Sequence, residues 1–192
     1  MKPTSPTLPF AHDFLAPSFF NRPADQVARD LVGKALVRRN GRTRQELTVT
    51  ETEAYLGPHD LACHAARGRT ARTETMFGPP GTLYIYFVYG LHWMLNIVTG
   101  PVGYPAAVLI RSAGELTGPG KLTKALSITQ DLNGKLAACA TGLWFEDRAA
   151  SAGRIVATPR IGVAYAGPIW ARRKLRFAVL RGSERAASCL KP

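Results

Sequence analysis

The sequence predicts an α+β fold: one compact domain with a curled, mostly antiparallel β-sheet, flanking helices and a protruding β-hairpin. The chain has 192 residues, which is enough for one sizeable core. Strand-like runs follow one another through short turns, and the dipeptide Asn40-Gly41 is a strong hairpin signal. Few stretches carry the start and stop signals of a helix, so crossover connections for a parallel sheet are scarce.

The elements follow in order from these local signals. A helix is expected over residues 24–31, after Pro23 and before Gly33. Pro58 is expected to open a short helix that carries His64, and another helix is expected over 119–126. Strands are expected at 34–39, 45–55, 106–111, 161–165 and 175–180, with a second hairpin over 82–96. The connection from 39 to 45 is expected to be longer than a two-residue turn.

We assign residues 1–20 to a short, flexible N-terminal lead-in and residues 21–192 to the single domain. The first ten residues are rich in Pro and Thr and lack the charged-then-apolar layout of a signal peptide. No run of about 18 apolar residues occurs, so no membrane span is expected.

The three cysteines lie far apart in sequence and are Cys63, Cys139 and Cys189. None has the close second Cys or His at the spacing that a zinc knuckle requires, and an odd number argues against a disulfide framework. We therefore expect no metal and a reducing, cytoplasmic setting.

The charge balance favours a polyanionic partner. Lys and Arg total 25 against 13 acidic residues, which gives a formal net charge of +12. A domain this basic is typical of nucleic-acid-binding proteins. A basic surface that only keeps the protein in solution is the simpler alternative.

Two carboxylates stand on one face of the strand expected at 45–55. Side chains alternate along a strand, so Leu47, Val49, Glu51, Glu53 and Tyr55 share a face. That face begins apolar and therefore inward, where carboxylates are costly unless they are paired or belong to a site. The alternative is that the strand emerges at the rim and both glutamates are solvated. The pattern favours neither interpretation over the other.

The strand expected at 106–111 changes character in a similar way. Ala107, Leu109 and Arg111 share a face, so an apolar run ends in an arginine. A buried guanidinium needs a partner, and a carboxylate of the neighbouring strand would suit it. The alternative is an arginine that reaches solvent at the end of the strand.

The second hairpin is unusually aromatic. Tyr84 and Tyr86 share one face of its first strand, and Tyr89 lies at the expected turn. An aromatic side chain at such a tip suits a wedge between base pairs, and an aromatic strand face can stack on a base. Taken alone, this run is more often plain core, but the charge of the chain favours the base-binding interpretation.

The stretch 114–122 is similar to a phosphate-binding loop only at first sight. Its glycine spacing is wrong, and Leu122 stands where a magnesium-binding Ser or Thr belongs. The stretch therefore excludes a P-loop nucleoside triphosphatase. Lys121 at a helix N-terminus could still hold a DNA phosphate.

Taken together, these motifs resemble the alkyladenine (3-methyladenine) DNA glycosylase family. The resemblance rests on Glu51 to Pro58, His64, Met76-Phe77, Gly81 to Tyr86, Tyr89-Gly90, Asn96, Arg111, Gly118 to Leu122, and the stretch from Arg160 to Ser183. It covers nearly the whole chain from about Asp25 onward. The first block and the tyrosine hairpin are its specific parts, and the compact length is similar to bacterial members.

The resemblance implies a catalytic pair. Glu53 would be the general base that activates water, and Arg111 would help to hold that water and the carboxylate. The choice of Glu53 over Glu51 comes from the resemblance alone.

The resemblance also implies a pocket for a base rotated out of the duplex. Tyr55, His64 and Tyr86 would surround that base, and Asn96 would stand at the wall against the exocyclic amine of normal guanine. Tyr89 would fill the hole left in the duplex. The basic residues expected on the DNA backbone are Arg67, Arg69, Arg72 and Lys121.

The implied activity is that of a monofunctional DNA glycosylase of base excision repair. It would flip alkylated or otherwise damaged purines from double-stranded DNA and hydrolyse the N-glycosidic bond. 3-Methyladenine is the expected substrate, and removal of the neutral lesions hypoxanthine and ethenoadenine stays open. We expect no cofactor, a monomer, and a bacterial cytoplasmic protein at the nucleoid.

Two other functions fit parts of the pattern. In a non-catalytic damaged-DNA-binding protein, the tyrosine hairpin would stack on bases and Glu53 would be structural. In a glycoside hydrolase, Glu51 and Glu53 would act on a sugar polymer from backbone positions roughly 6–7 Å apart. The latter gives no role to the charge of the chain or to the tyrosine tip.

Overall fold

An antiparallel sheet of nine strands is the framework of the computed structural model, which describes residues 13–148 and 153–180. The strands are β1 (Asp13–Phe14), β2 (Ala35–Asn40), β3 (Thr43–Tyr55), β4 (Leu83–Val88), β5 (His92–Thr99), β6 (Ala106–Ala113), β7 (Leu143–Asp147), β8 (Ile155–Thr158) and β9 (Arg176–Val179). Their order is β1-β7-β2-β3-β6-β5-β4, while β9 pairs with β3 and β8 pairs with β9. All of these pairings are antiparallel. The predicted α+β class is confirmed.

Four short α-helices accompany the sheet in the described part of the chain. They are α1 (Pro17–Phe20), α2 (Ala24–Leu31), α3 (Pro119–Ala125) and α4 (Gly167–Arg172). Helix α2 forms because Val27, Ala28 and Leu31 fall on one side at helical spacing, and all three are buried. The helices predicted at 24–31 and 119–126 are therefore confirmed. None of the helices in the described ranges is long and apolar enough to cross a membrane.

The two faces of the β3-β6-β5-β4 half of the sheet have different environments. Alternate residues of these strands enter the main core beneath α2 and α3, including Ala54, Val108, Ile85 and Leu95. The intervening residues form a second, smaller cluster, which includes Tyr84, Val98 and Ala107 with Tyr55 and Tyr86 packed against it. Strand alternation therefore places one set of aromatic and polar side chains together on the face away from the main core.

A break in the register of β3 overturns the predicted common face of Leu47, Val49, Glu51, Glu53 and Tyr55. Pairing with β6 shifts twice, between Val49 and Glu51 and between Glu51 and Thr52. An extra residue in one strand reverses the alternation beyond it. Val49 thus lies in the main core with Ala54, whereas Glu53 and Tyr55 lie on the opposite face.

The N-terminal lead-in differs from the prediction where the structure describes it. Residues 13–20 were expected to be flexible, yet they contain β1 and α1, and Phe20 is buried in the core. Phe20 also packs edge-on against Phe145 at a ring distance of 6.0 Å. Residues 1–12 lie outside the described part, and the boundary at residue 21 otherwise stays a prediction.

The first hairpin is tighter than predicted. Asn40 pairs with Thr43, so Gly41 and Arg42 alone form the turn, and Gly41 has a φ of 59°. The expected longer loop is wrong because the first residues of β3 are exposed and polar, which hides their strand character from a hydrophobic pattern.

Two local predictions near the site are also wrong. Pro58 opens no helix: a 3₁₀ turn begins only at His64, because Asp60 Oδ1 and Oδ2 accept the backbone N–H groups of Ala62 and Leu56 and fix a loop. Residues 161–165 form no strand: the segment bends at Gly162, which has a φ of 75°, and enters a 3₁₀ turn at 164–166.

Candidate active site

Glu53 is a carboxylate buried inside the protein, with a side-chain exposure of 0%. Its Oε2 accepts a hydrogen bond from Tyr55 Oη at 3.0 Å and lies 3.3 Å from Arg111 Nη1. Its Oε1 accepts the backbone N–H of Ile161 at 2.8 Å. A carboxylate offers about four acceptor positions, so these three donors leave one for a further hydrogen bond.

Arg111 on β6 lies between two carboxylates of β3. Its Nε is 3.2 Å from Glu51 Oε1, and its Nη1 faces Glu53. Glu51 also accepts from Ser112 Oγ at 2.7 Å and from Arg176 Nη1 at 2.8 Å. The prediction that a carboxylate of the neighbouring strand pairs with Arg111 is confirmed, and two glutamates, Glu51 and Glu53, do so.

A small cavity opens beside this cluster and encloses about 40 Å³. Its walls come from β3, β4, β5, β6 and two loops, and they are Tyr55, Ala62, Cys63, His64, Met76, Tyr84, Tyr86, Asn96, Ala107 and Tyr165. All four residues expected at a base pocket, Tyr55, His64, Tyr86 and Asn96, are among them. The structure brings these residues together from positions up to 41 apart in sequence.

Aromatic rings dominate the cavity walls. His64 meets Tyr86 edge-on with ring centres 4.6 Å apart, and Tyr84 lies 5.2 Å from Tyr86. Burial raises the pKa of Tyr84 to about 12 and raises the pKa values of Tyr55 and Tyr86 as well. The tyrosine hydroxyls therefore stay protonated and act as neutral hydrogen-bonding groups.

His64 is held in its neutral form. Burial, reinforced by the positive charges of Arg72 and Arg67, lowers the pKa of His64 to about 4. Its Nδ1 makes a hydrogen bond with Tyr84 Oη at 3.0 Å. A neutral imidazole carries one donor and one acceptor, so the other ring nitrogen can meet a polar edge in the cavity.

Asn96 is fixed by the backbone of its own hairpin. Its Nδ2 donates to the carbonyl oxygen of Tyr84 at 3.1 Å and to that of Met94 at 3.4 Å. Asn96 is buried, so its amide is a rigid polar group on the cavity wall.

Tyr89 stands at the tip of the β4–β5 hairpin and is 89% exposed. Tyr89 and Gly90 occupy the turn with φ values of 53° and 66°, and the Leu91 N–H donates to the Val88 carbonyl. Two positive φ values are the geometry of a type I′ turn, which is unfavourable for a tyrosine.

A broad groove of about 640 Å³ connects the hairpin to the cavity. It shares Tyr55, His64 and Tyr86 with the cavity walls, and Tyr89 and Arg111 also line it. Two of the four basic residues expected on the DNA backbone, Arg67 and Arg72, line it as well. The cavity is therefore the inner end of a larger basic and aromatic surface.

The other two predicted basic residues lie elsewhere. Arg69 is exposed and forms a two-point ion pair with Glu74, with its Nε 2.7 Å from Glu74 Oε2. Lys121 is exposed on α3, and among the described residues it is not part of the groove lining. Their predicted contacts with DNA stay predictions.

The geometry has a counterpart in known proteins. The profile of the family described as methylpurine-DNA glycosylase (MPG) matches residues 18–116 and 113–183, which is most of the chain. The chain belongs to this family. It is thus a DNA glycosylase, a hydrolase of N-glycosyl bonds, and its partner is DNA.

Individual relatives span most of the glycosylase. A protein of Methanocella arvoryzae is 48% identical over 170 residues, with 78% of this chain and 84% of the relative covered. One from Anaeromyxobacter dehalogenans is 45% identical over 176 residues, covering 88% and 84%. One from Legionella pneumophila is 40% identical over 168 residues, covering 84% and 91%. Their names assign these three proteins provisionally to the 3-methyladenine DNA glycosylases.

Several groups of the glycosylase site carry little sequence signal. The Ile161 N–H that meets Glu53 belongs to the backbone, and its segment was expected to be a strand. Asp60 and Arg160 form a buried ion pair beneath Tyr55, although they are 100 residues apart. The sequence offers only the burial of the segments around them as a clue, because no local pattern pairs such distant residues.

Residues 13–148 and 153–180 contain no group of three or more His, Cys, Asp or Glu side chains that could hold a metal ion. Cys63 lines the cavity, and burial raises the pKa of its thiol to about 11. The thiol is therefore protonated at neutral pH and a poor nucleophile.

Proposed function

We propose that this glycosylase removes alkylated purines such as 3-methyladenine from double-stranded DNA, by flipping the damaged nucleotide into the aromatic cavity and hydrolysing its bond to deoxyribose. The arrangement of Glu53 carries the proposal. Its three donors, Tyr55, Arg111 and Ile161, all line the groove that leads to the cavity. The carboxylate thus lies directly behind the surface that a flipped nucleotide would contact.

The shape and charge of the groove suit a duplex from which one nucleotide is missing. Arg67 and Arg72 line it and would meet phosphates of the damaged strand. Tyr89 projects from the hairpin tip, lines the same groove and would fill the space that the flipped base vacates. Flipping costs least at a damaged pair, which supplies part of the selectivity.

The cavity walls suit a purine that carries positive charge. Tyr55 and Tyr86 are protonated, neutral rings on whose faces a cationic base can stack. His64 is neutral as well, so it adds no repulsion to such a base and offers it a hydrogen bond. The relatives' names, which mention 3-methyladenine, agree with this substrate class.

The fixed amide of Asn96 would exclude normal guanine. Its hydrogen bonds to Tyr84 and Met94 prevent it from turning aside for an exocyclic amine. The exocyclic amine would clash with a side chain that cannot move, and such a clash discriminates between substrates.

The chemical step needs a base and negative charge near the sugar. Departure of the purine leaves an oxocarbenium-like sugar, and the Glu53 carboxylate would stabilise its positive charge. The remaining acceptor position of Glu53 would take a proton from the attacking water. Arg111, held by Glu51 on its other side, pairs with the carboxylate of Glu53 and holds it in place.

Charged lesions would be favoured over neutral ones. A cationic purine leaves as a neutral base without further protonation, whereas hypoxanthine and ethenoadenine need a proton from an acid. His64 is not that acid at neutral pH, because its pKa is about 4. The described walls of the cavity and groove also contain no lysine, so a Schiff-base lyase step has no nucleophile there.

The test is single-turnover release of free base from duplexes that carry 3-methyladenine, hypoxanthine, ethenoadenine or no lesion. The wild type is compared with Glu53→Gln, and Glu46→Gln on the exposed part of β3 is the matched control. We expect release of 3-methyladenine by the wild type and by Glu46→Gln, and a loss of at least about 10²-fold in Glu53→Gln.

Each arm of this experiment decides something different. Persisting affinity of Glu53→Gln for the lesion would separate catalysis from binding. Release at the wild-type rate by Glu53→Gln would contradict the role of Glu53. Failure of the wild type to release any base would contradict the proposed substrate class. Because the proposed substrate is duplex DNA, the protein is expected in the compartment that holds the chromosome. Its predicted monomeric state stays a prediction.

A further inference from the structure

An ion pair lies buried beneath the active site, outside the groups that face the cavity. Arg160 Nη1 is 2.6 Å from Asp60 Oδ2, and Arg160 Nη2 is 2.8 Å from Asp60 Oδ1. Both side chains have an exposure of 0%. The two bonds are parallel, which fixes the plane of the guanidinium relative to the carboxylate.

Asp60 binds Arg160 and also fixes the loop that forms one wall of the cavity. Its Oδ2 accepts the Leu56 N–H at 3.0 Å, and its Oδ1 accepts the Ala62 N–H at 3.1 Å. These bonds tie the loop after β3 into a fixed shape. Ala62 and Cys63 at the end of this loop line the cavity.

Arg160 contacts residues next to Glu53 on β3. Its Nη1 donates to the Ala54 carbonyl oxygen at 2.8 Å, between Glu53 and Tyr55. Its guanidinium carbon lies 4.8 Å from the centre of the Tyr55 ring. The next residue, Ile161, supplies the N–H that donates to Glu53. One rigid group therefore sets the Tyr55 ring, the β3 backbone and the Ile161 amide together.

We propose that the buried Asp60–Arg160 pair is a positioning unit for the general base. The pair aims two hydrogen-bond donors, the Tyr55 hydroxyl and the Ile161 amide, at Glu53. This inference rests on the proposed function of Glu53. Asp60 and Arg160 touch no reacting atom: they act through Tyr55 and Ile161. Misplacement of a reacting group by about 1 Å can reduce a rate by about 10²-fold, so such a unit affects the rate strongly.

Arg38 is a comparison within the same molecule. It is also a buried arginine, but it donates to the carbonyl oxygens of Leu126, Gly142 and Ser127, none of which lines the cavity or the groove. Its contacts support the fold alone. A change at Arg38 therefore reports the general effect of disturbing a buried guanidinium.

The variants Arg160→Lys and Asp60→Asn test the proposal against the control Arg38→Lys. Lysine keeps the charge but lacks the planar fork that binds Asp60 and stacks on Tyr55. Asparagine keeps the shape but has one acceptor oxygen in place of two. Each protein is assayed at a temperature at which circular dichroism shows it to be folded.

We expect Arg160→Lys and Asp60→Asn to release 3-methyladenine on the order of 10- to 100-fold more slowly than the wild type in single turnovers. Their affinity for undamaged duplex should not change, because Tyr89 at the hairpin tip and the groove arginines Arg67 and Arg72 are not contacts of the pair. Arg38→Lys should match the wild type in both measurements. A mere loss of folded protein would reduce DNA binding and base release together.

Folded Arg160→Lys and Asp60→Asn proteins that release base at the wild-type rate would overturn the positioning role while leaving the glycosylase function intact. A wild type that releases no base would instead contradict the proposed function itself. The two failures are therefore distinguishable.

Hydrogen exchange in the wild type tests the same unit without any substitution. The amides of Leu56, Ala62 and Ile161 should exchange in one opening event with a common protection factor, because the pair holds all three. Exchange of the Ile161 amide orders of magnitude faster than that of Leu56 and Ala62 would overturn the proposal even if every variant failed to fold.

Discussion

Glu51 and Glu53 are two residues apart on β3, yet their surroundings differ. Burial alone would raise the pKa of Glu51, but hydrogen bonds from Ser112 and Arg176 and the charges of Arg111 and Arg176 bring the net shift below its usual value. Glu51 is therefore ionised and anchors Arg111. Glu53 is fully buried and also accepts from the Tyr55 hydroxyl and the Ile161 amide, so we propose Glu53 and not Glu51 as the carboxylate for the chemical step.

His64 gives a prediction at the scale of one residue. Its pKa of about 4 lies below the ordinary value of 6.5, so the folded protein resists a proton that the unfolded chain binds. The free energy of unfolding should therefore fall as the pH is lowered from about 6.5 towards about 4. NMR titration of the His64 ring should show a midpoint near 4.

The positive charge of Arg72 near His64 allows the cause of this lowered pKa to be checked. Arg72→Gln should raise the pKa of His64, because one of the two positive charges that oppose protonation is removed. Arg42→Gln, on the exposed turn between β2 and β3, should leave the titration unchanged. A wild-type midpoint near 6.5 would contradict the burial of a neutral imidazole.

At the scale of elements, the β4–β5 hairpin combines an unfavourable backbone with an exposed side chain. A left-handed conformation costs a non-glycine residue roughly 1–2 kcal/mol, and Tyr89 gains little contact in return because it is exposed. Residues held in such conformations cluster at functional sites. The hairpin thus presents Tyr89 at a cost to stability, which is consistent with a role outside the folded core.

Tyr89→Gly should separate the cost of the left-handed backbone from the role of the tyrosine side chain in DNA binding. Glycine relieves the positive φ, so we expect the free energy of unfolding to stay the same or to rise by up to about 1 kcal/mol. Release of 3-methyladenine should nevertheless fall, because no side chain fills the gap in the duplex. Thermal melts and single-turnover assays measure the two effects.

Leu91→Gly is the matched control on the same tip. Leu91 is exposed and does not have a positive φ, so glycine there should lower the free energy of unfolding by about 0.5–1 kcal/mol. Its effect on base release should be smaller than that of Tyr89→Gly. A Tyr89→Gly protein with wild-type release would show that Tyr89 is no wedge.

At the scale of the whole molecule, the net charge of +12 has a definite distribution around the site. Arg67 and Arg72 line the groove, whereas Arg69 is engaged by Glu74 at the surface. Net charge alone predicts attraction to any polyanion. The placement of these residues predicts which ones track the DNA backbone.

The salt dependence of DNA binding checks this distribution. The logarithm of the binding constant should fall linearly with the logarithm of salt concentration, with a slope of about −0.9 for each phosphate contact. Arg67→Gln and Arg72→Gln should each reduce the slope by about one, and Arg42→Gln should not. A flat salt dependence in the wild type would contradict an electrostatic DNA interface.

The sequence by itself determined the features that depend on local periodicity and composition. Helix α2, the two hairpins and the common face of Ala107, Leu109 and Arg111 on β6 follow from residues that are near one another in the chain. The charge and the motifs around Glu53, Tyr86 and Tyr89 also sufficed for the family. Each of these signals is short-range, so no knowledge of the folded chain was needed.

Only the tertiary structure decided how distant groups meet. The register shifts in β3 reverse its faces, the Ile161 amide reaches Glu53 from a loop that the pattern assigned to a strand, and Asp60 pairs with Arg160. Bulges, backbone donors and ion pairs across 100 residues depend on the packing of the whole sheet. Hydrophobic periodicity carries no information about them, because it records burial along the chain and not the partner across it.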